Sequence, residues 1–207
     1  MTRGRFITLE GIEGAGKSSL QRALGEALAA QGRQVLLTRE PGGTPLAEQI
    51  RELVLARRAD GMPPATETLL MFAARAAHVA QRIEPALARG EWVLCDRFTD
   101  TTRAYQGAGR QIDAAAIEQL AAIAHPGLQP DLTLLLDLPP ELGLARARGR
   151  HGAAGDRFED EQLGFFSRAR QCYLELAQRE PRRVRRIDAT QSASDVLQAA
   201  LHVLALP

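Results

Sequence analysis

The residues best placed to do chemistry form one unbroken run, Gly11-Ile12-Glu13-Gly14-Ala15-Gly16-Lys17-Ser18, followed by Ser19. Its pattern, G-x-x-x-x-G-K-S/T, works because glycines let consecutive backbone N–H groups turn inward around phosphate oxygens. In such a loop Lys17 reaches the β- and γ-phosphates of a nucleotide, and the Ser18 hydroxyl ligates Mg²⁺. The pattern also arises by chance, so its surroundings decide. Here an apolar segment, residues 6–9, leads into it, and a helix-forming segment opens at Ser18-Ser19-Leu20. The positive end of that helix then faces the anion.

One compositional fact sharpens this reading. The chain holds 25 arginines and a single lysine, and that lysine is Lys17. Surface charge carried by arginine points to a general coding bias. The one exception falls where a flexible point charge must reach phosphate oxygens. Guanine-binding switches carry an Asn-Lys-x-Asp motif, which a chain with no second lysine lacks. Protein kinases need a separate strand lysine and a different glycine-rich loop, so they are excluded too. Motor and transporter ATPases need longer chains with partner-coupling elements. A small kinase acting on a small molecule remains.

The bulk properties agree. A chain of 207 residues, 45% apolar and 25% charged, is expected to be one soluble domain with a sizeable core. A net charge of +1 gives no reason to expect nucleic acid or a membrane as partner. No apolar run approaches the ~20 residues of a membrane span. Met1-Thr2-Arg3-Gly4-Arg5 runs straight into an apolar segment without a signal-peptide core. Cys95 and Cys172 lie far apart and suggest neither a disulfide framework nor a zinc knuckle. The expectation is a cytoplasmic protein with reduced thiols.

The elements that must hold the loop alternate between strand-like and helix-like, which predicts an α/β fold: a doubly wound, five-stranded parallel sheet flanked by helices. Strands are expected at 6–10, 34–38, 92–96, 132–137 and 184–188. Helices are expected at 18–31, closed by Gly32, and at 45–56, with Thr44 as N-cap and Pro45 in the first turn. Further helices are expected at 66–84, restarting at Pro85, and at 113–124, 140–148, 159–180 and 193–205. A glycine-rich, basic stretch at 149–155 fits a lid spanning about 147–157. The run Arg182-Arg183-Val184-Arg185-Arg186 is expected to be a solvated strand edge. The four histidines show no metal-ligand spacing.

Three further segments carry a family resemblance: Arg39-Glu40-Pro41-Gly42-Gly43-Thr44, Cys95-Asp96-Arg97-Phe98 and Ala104-Tyr105-Gln106-Gly107. Together with the phosphate loop, and with Asp156-Arg157-Phe158-Glu159 further on, they resemble the thymidylate kinases over essentially the whole chain. The resemblance implies phosphorylation of dTMP to dTDP with ATP and Mg²⁺, and a homodimer; the alternatives are a kinase of another nucleoside monophosphate and a regulatory NTP-binding protein. The Pro-Gly-Gly turn would bring Glu40 to the carboxyl edge of the sheet, where doubly wound folds bind ligands.

Phosphoryl transfer demands positioning and charge neutralisation more than covalent chemistry. Asp96 ends a strand and is expected to organise Mg²⁺ with Ser18; Asp137, which also ends a strand, is the rival, and the adjacent Arg97 favours Asp96. Arg97 could bridge the two phosphate chains. Ile12, Glu13, Gly14 and Ala15 bring no positive charge into the loop, and the chain thereby resembles the bacterial type of the family, which implies a catalytic arginine supplied by the lid. Arg146, Arg148 and Arg150 stand there, with Arg157 just after. Arg146 and Arg150 share a helical face from which Arg148 points away, and Arg150 is the choice for the catalytic arginine. Such an arginine contributes on the order of 10³–10⁵ in rate.

For the acceptor nucleotide, the resemblance implies a helix presenting Arg75 to a base carbonyl and a side chain to the base face. Phe72, three residues before Arg75, is the better stacking candidate; Met71, four before, is the alternative, and a core role for Phe72 stays open. By resemblance Thr102 and Gln106 hydrogen-bond the thymine edge, Tyr105 lies under the deoxyribose, and Arg51 binds the dTMP phosphate. Glu13 and Glu159 match acidic positions near the sugar or lid.

Overall fold

The computed structural model describes residues 3–151, 157–158 and 161–205. Five strands form one all-parallel sheet: β1 (Phe6–Glu10), β2 (Val35–Arg39), β3 (Trp92–Asp96), β4 (Leu132–Asp137) and β5 (Val184–Asp188), in the order β2-β3-β1-β4-β5. β1 and β4 are buried at every position, as strands covered on both faces must be, whereas β2 and β5 are edges and only partly buried. Four strands coincide with the sequence expectation and β2 starts one residue later.

The nine helices among the described residues mostly start and stop where their capping chemistry dictates. α1 (Lys17–Ala30) closes through Gly32, whose φ of +78° lets Gly32 N–H and Arg33 N–H bond back to Ala29 O and Leu28 O. α2 (Pro45–Leu55) is capped by Thr44, whose Oγ1 accepts from Ala47 N–H. α3 (Pro64–His78) does not run on to 84. It passes through a π-helical turn, Val79–Ile83, before α4 (Glu84–Ala88). Pro85 has no N–H to give and its ring crowds the preceding turn, and the wider turn absorbs both faults.

A second π-helical turn, Arg103–Gly109, continues the short helix α5 (Thr99–Thr102). From this segment the Tyr105 side chain bonds to Glu13 and that of Gln106 to Glu67. α6 (Ala114–Ala124) follows, capped by Asp113. α7 (Pro140–His151) is longer than expected and takes in residues 149–151 of the proposed lid loop. Residues 152–156 of that loop, and Glu159, lie outside the described residues. α8 (Leu163–Arg179), with Gln162 as its N-cap, begins later than the expected 159, and α9 (Ala193–Ala205) completes the fold. No helix among the described residues is long and apolar enough to cross a membrane.

The sheet brings the charged strand ends Glu10, Arg39, Asp96, Asp137 and Asp188 to one edge. The phosphate loop follows Glu10 there, and Arg97 follows Asp96.

Candidate functional site

The loop between β1 and α1 turns tightly enough that α1 begins at Lys17, directly after Gly16 at φ +88°. α7 lies hard against the loop. A Cβ on Gly14 would stand 1.9 Å from the carbonyl oxygen of Gly143, and one on Gly143 would stand 2.5 Å from that of Glu13. Lys17 Nζ donates to the carbonyls of Gly11 and Ile12 at 3.0 and 2.9 Å. Burial pushes its ammonium down to about 8, Arg97 adds to that, and Glu13, Asp96 and Glu10 oppose it.

Parallel register sets Asp96 level with Leu9 on one side and Arg39 on the other. The Ser18 hydroxyl donates to Asp96 Oδ2 at 2.7 Å, while Asp96 Oδ1 is buried with no hydrogen-bond partner among the described residues. A hydroxyl beside an unsatisfied carboxylate oxygen is a hard-oxygen donor set that fits Mg²⁺ with its waters. The rival Asp137 is taken: Arg170 and Arg186 both donate to it.

Arg97 is held in the left-handed region, φ +73°, which a residue with a Cβ rarely adopts without function. Its guanidinium donates to Gly11 O at 3.1 Å and to both Glu13 oxygens at 2.8 Å, and lies 4.8 Å over the Tyr105 ring. The Tyr105 hydroxyl donates to Glu13 as well. Burial alone would raise the Glu13 pKa; Arg97, Lys17 and the Tyr105 hydrogen bond outweigh it and hold the carboxyl below its usual range. Glu13, with no positive charge of its own, thus locks the loop to Arg97.

Behind these residues sits Glu10, which sequence reasoning noted only as a strand end. One oxygen accepts from Phe98 N–H at 2.7 Å; the other accepts from the Thr101 and Tyr173 hydroxyls. Burial first, and the neighbouring Asp100 second, push its pKa up to about 7. Nothing local in the sequence ties residue 10 to residue 173.

The second half of the site is built from α3 and the α5 segment. Arg75, 1% exposed, donates through Nε to Glu40 at 2.6 Å and through Nη2 to Thr102 Oγ1 at 3.0 Å. Nη1 has no partner among the described residues. Glu40 is itself buried, and its other oxygen meets His78 Nδ1 at 2.9 Å. Burial raises its pKa, and Arg75 and His78 more than reverse that. Both Glu40 oxygens are thus engaged within the protein, one by Arg75 and one by His78. Glu40, His78 and Cys95 cluster within 4.8 Å, but their donor atoms are engaged with one another, with Thr38, Arg75 and Arg97 O.

Phe72 packs beneath Arg75, ring to guanidinium 4.8 Å, and against Ile117 and Ala121 of α6. Met71 joins the main core. Both are buried, so a core role is the one the packing displays for each. Gln106 is fully buried; its Nε2 donates to Glu67 at 2.7 Å, and Oε1 has no partner among the described residues. Arg51 donates to Pro41 O at 2.9 Å, in the turn after Glu40.

The arginines separate by position. Arg146 donates to Ala189 O at 2.7 Å and lines a cavity of about 440 Å³ with Gly14, Gly16, Ser19 and Gln191. Arg148 is exposed. Arg150 lies on α7, with its side chain outside the described residues. Arg157 does not reach toward the phosphate loop: it donates to Val54 O and pairs with Glu67 at 2.8 Å. The basic run at 182–186 is likewise not wholly solvated. Arg183 is largely buried and bridges Asp100 and Glu180, because β5 leaves it against the start of α5.

Glu10, Glu67, His78 and Tyr173 are the members that sequence reasoning missed. Glu10 had a signal, a carboxylate ending the strand before the phosphate loop. His78 lies close after Arg75 on the same helix; for Glu67 and Tyr173, partners distant in sequence leave no local pattern.

A family model described as thymidylate kinase matches residues 9–200. The thymidylate kinase of Alcanivorax borkumensis is 57% identical over 201 residues, which span 97% of this chain and 96% of that one. The thymidylate kinase of Pseudomonas syringae pv. tomato is 58% identical over 201 residues, 97% of this chain and 94% of its own. A crystal structure of thymidylate kinase from Ehrlichia chaffeensis aligns with a TM-score of 0.79 at 32% identity, covering 98% of this chain and 99% of that one. With a strand-bound phosphate loop, a Ser18–Asp96 pair and a buried polar cluster around Arg75, this chain belongs to the thymidylate kinase family.

Proposed function

We infer that the protein is an ATP-dependent dTMP kinase, moving the γ-phosphoryl group of ATP to dTMP to give ADP and dTDP. The observation that carries this reading is the pair of buried, unpartnered atoms Arg75 Nη1 and Gln106 Oε1 across the sheet edge from the phosphate loop. A spare donor and a spare acceptor complement the carbonyl and N–H of a thymine edge. Buried polar atoms stay unpaired at a cost that a ligand relieves.

A phosphate oxygen of dTMP bonds to the γ-phosphorus as the bond to the β,γ-bridging oxygen breaks. The attacking phosphate is already an anion, so no residue need take a proton. Lys17 and the loop N–H groups hold the ATP phosphates, and Arg97, anchored by Glu13, reaches between donor and acceptor. The cavity beside Arg146 would take the adenosine end. Mg²⁺ held by Ser18 and Asp96 would neutralise charge on the phosphates. Tyr105, fixed by Glu13 and edge-packed by Phe165, would floor the deoxyribose and leave no room for a 2′-hydroxyl. Arg51 would meet the dTMP phosphate.

A coupled assay with Mg-ATP and a panel of nucleoside monophosphates tests the reading. Strong turnover of dTMP over AMP, CMP and GMP is expected; ATP hydrolysis independent of any acceptor would overturn it. Arg150 is the proposed catalytic arginine. Arg150→Ala should lower kcat by about 10³-fold or more with little change in dTMP affinity, and an unchanged kcat would remove the assignment. We also propose a cytoplasmic homodimer. Both cysteines are free thiols, and Leu46, Leu53, Leu69 and Ile123 are exposed on α2, α3 and α6, apolar area that a second copy would cover.

A further inference from the structure

Glu67 lies on α3, the helix that carries Arg75, and is fully buried. The phosphate chemistry makes no use of it. Its Oε1 accepts from Gln106 Nε2 at 2.7 Å, and Arg110 Nε approaches the same oxygen at 3.4 Å. Its Oε2 stands 2.8 Å from Arg157 Nη1 and 3.3 Å from Arg110 Nη2. Arg110 is tied in turn to Glu161 at 2.6 Å.

A carboxylate paired with two guanidinium groups has only acceptors to offer. Gln106 must therefore turn its NH₂ toward Glu67, which leaves Oε1 pointing away, buried and unpartnered. An amide is nearly symmetric in shape, so packing alone would not choose between its two orientations. The charge arrangement does choose. Arg75 is held by the same logic from Glu40, with Nη1 left over.

We propose that Glu67 is a positioning residue for base selection: by fixing the Gln106 amide, it presents an acceptor that takes a pyrimidine imide N–H and rejects cytosine. Thymine and uracil carry a hydrogen on the ring nitrogen of that edge. Cytosine carries a lone pair there, which would face the Gln106 oxygen, and an amino group where Arg75 expects a carbonyl. Rejection by mismatched buried polar groups is far steeper than rejection by shape. The proposal rests on the dTMP kinase reading, with Gln106 at the base.

The test compares dTMP with dCMP in wild-type protein and in Glu67→Gln. Glutamine at 67 offers both a donor and an acceptor, so the Gln106 amide is freed to flip. The ratio of kcat/KM for dTMP over dCMP is expected to fall at least about tenfold, the worth of one net hydrogen bond, mainly through KM. Equal losses for both substrates, with the ratio unchanged, would mean that Glu67 only neutralises its arginines and would overturn the proposal. In a Gln106→Met background, Glu67→Gln should leave the ratio where that background sets it. A full further drop there would show action by another route and equally overturn it. One arm needs no variant: N3-methyl-dTMP should bind wild-type protein at least about tenfold more weakly than dTMP. If dTMP is a good substrate and the methylated analogue binds equally well, no acceptor faces that nitrogen and the proposal fails. If dTMP is no substrate at all, it is the kinase reading that fails.

Discussion

Lys17 keeps its charge against opposition. Burial and Arg97 both favour the neutral amine and bring its pKa down to about 8, while Glu13, Asp96 and Glu10 support the ammonium. The charged form is the one that holds phosphate, and it prevails only below that pH. The expected result is that kcat/KM for ATP falls as pH rises through about 8. In the nucleotide complex the added phosphate charge favours the ammonium, so kcat at saturating ATP should hold to higher pH. Initial rates from pH 6.5 to about 9.5 in constant ionic strength check this; parallel profiles for both parameters would contradict it. At this scale the phosphate loop and Asp96-Arg97 were legible because each is a contiguous pattern with local chemistry. The roles of Glu13 and Arg97 as one unit were not, since their meeting depends on β1 and β3 lying side by side.

At the scale of elements, the decisive contact is between the phosphate loop and α7. Gly14 and Gly143 let two backbones touch, and Gly14 also needs φ +73°. A methyl group at either position meets a carbonyl oxygen and not a yielding side chain. Gly14→Ala should destabilise the fold by about 2 kcal/mol or more, from the positive φ plus the forced separation of loop and helix. It should also cost most of the activity, because the loop N–H groups move with it. Urea denaturation alongside a dTMP assay reads both, and a stable, active variant would show that the two backbones part without cost. The central strands were readable from nearly continuous apolar runs, and the edge strands β2 and β5 from the alternation of strand-like and helix-like segments. The two π-helical turns were not. One of them follows from Pro85, a visible cause whose remedy, a wider turn instead of a break, depends on packing.

Over the whole molecule, Glu10 joins β1, the Arg97–Phe98 turn, α5 and α8. Its folded pKa of about 7 stands above the ordinary 4.5, chiefly through burial and then Asp100. Asp100 is held low: burial opposes this, but Arg183 and Arg103 prevail. The raised group favours the fold while protonated, so its contribution is intact below pH 4.5 and is lost as pH climbs through about 7. Glu13, Glu40 and Asp100 have the opposite sign and lose their contribution in acid. The melting temperature of wild type relative to Glu10→Gln should therefore drop by several degrees between pH 5 and pH 8. A constant difference would remove Glu10 as the source. The exposed leucines of α2 and α3 predict a dimer that Leu53→Arg would weaken, read by light scattering; a monomer at all concentrations would exclude it. The sequence by itself determined the sheet, the phosphate loop and the residues that flank it, because hydrophobic periodicity and glycine-rich geometry are local properties. Only the tertiary structure decided which charges are spent on each other and which are left for a ligand. The Gly11–Ser18 loop announces phosphate once an apolar strand leads into it and a helix leads out, both of them local features, but Gln106 offers an acceptor only because Glu67, on another helix, leaves its amide one way to face.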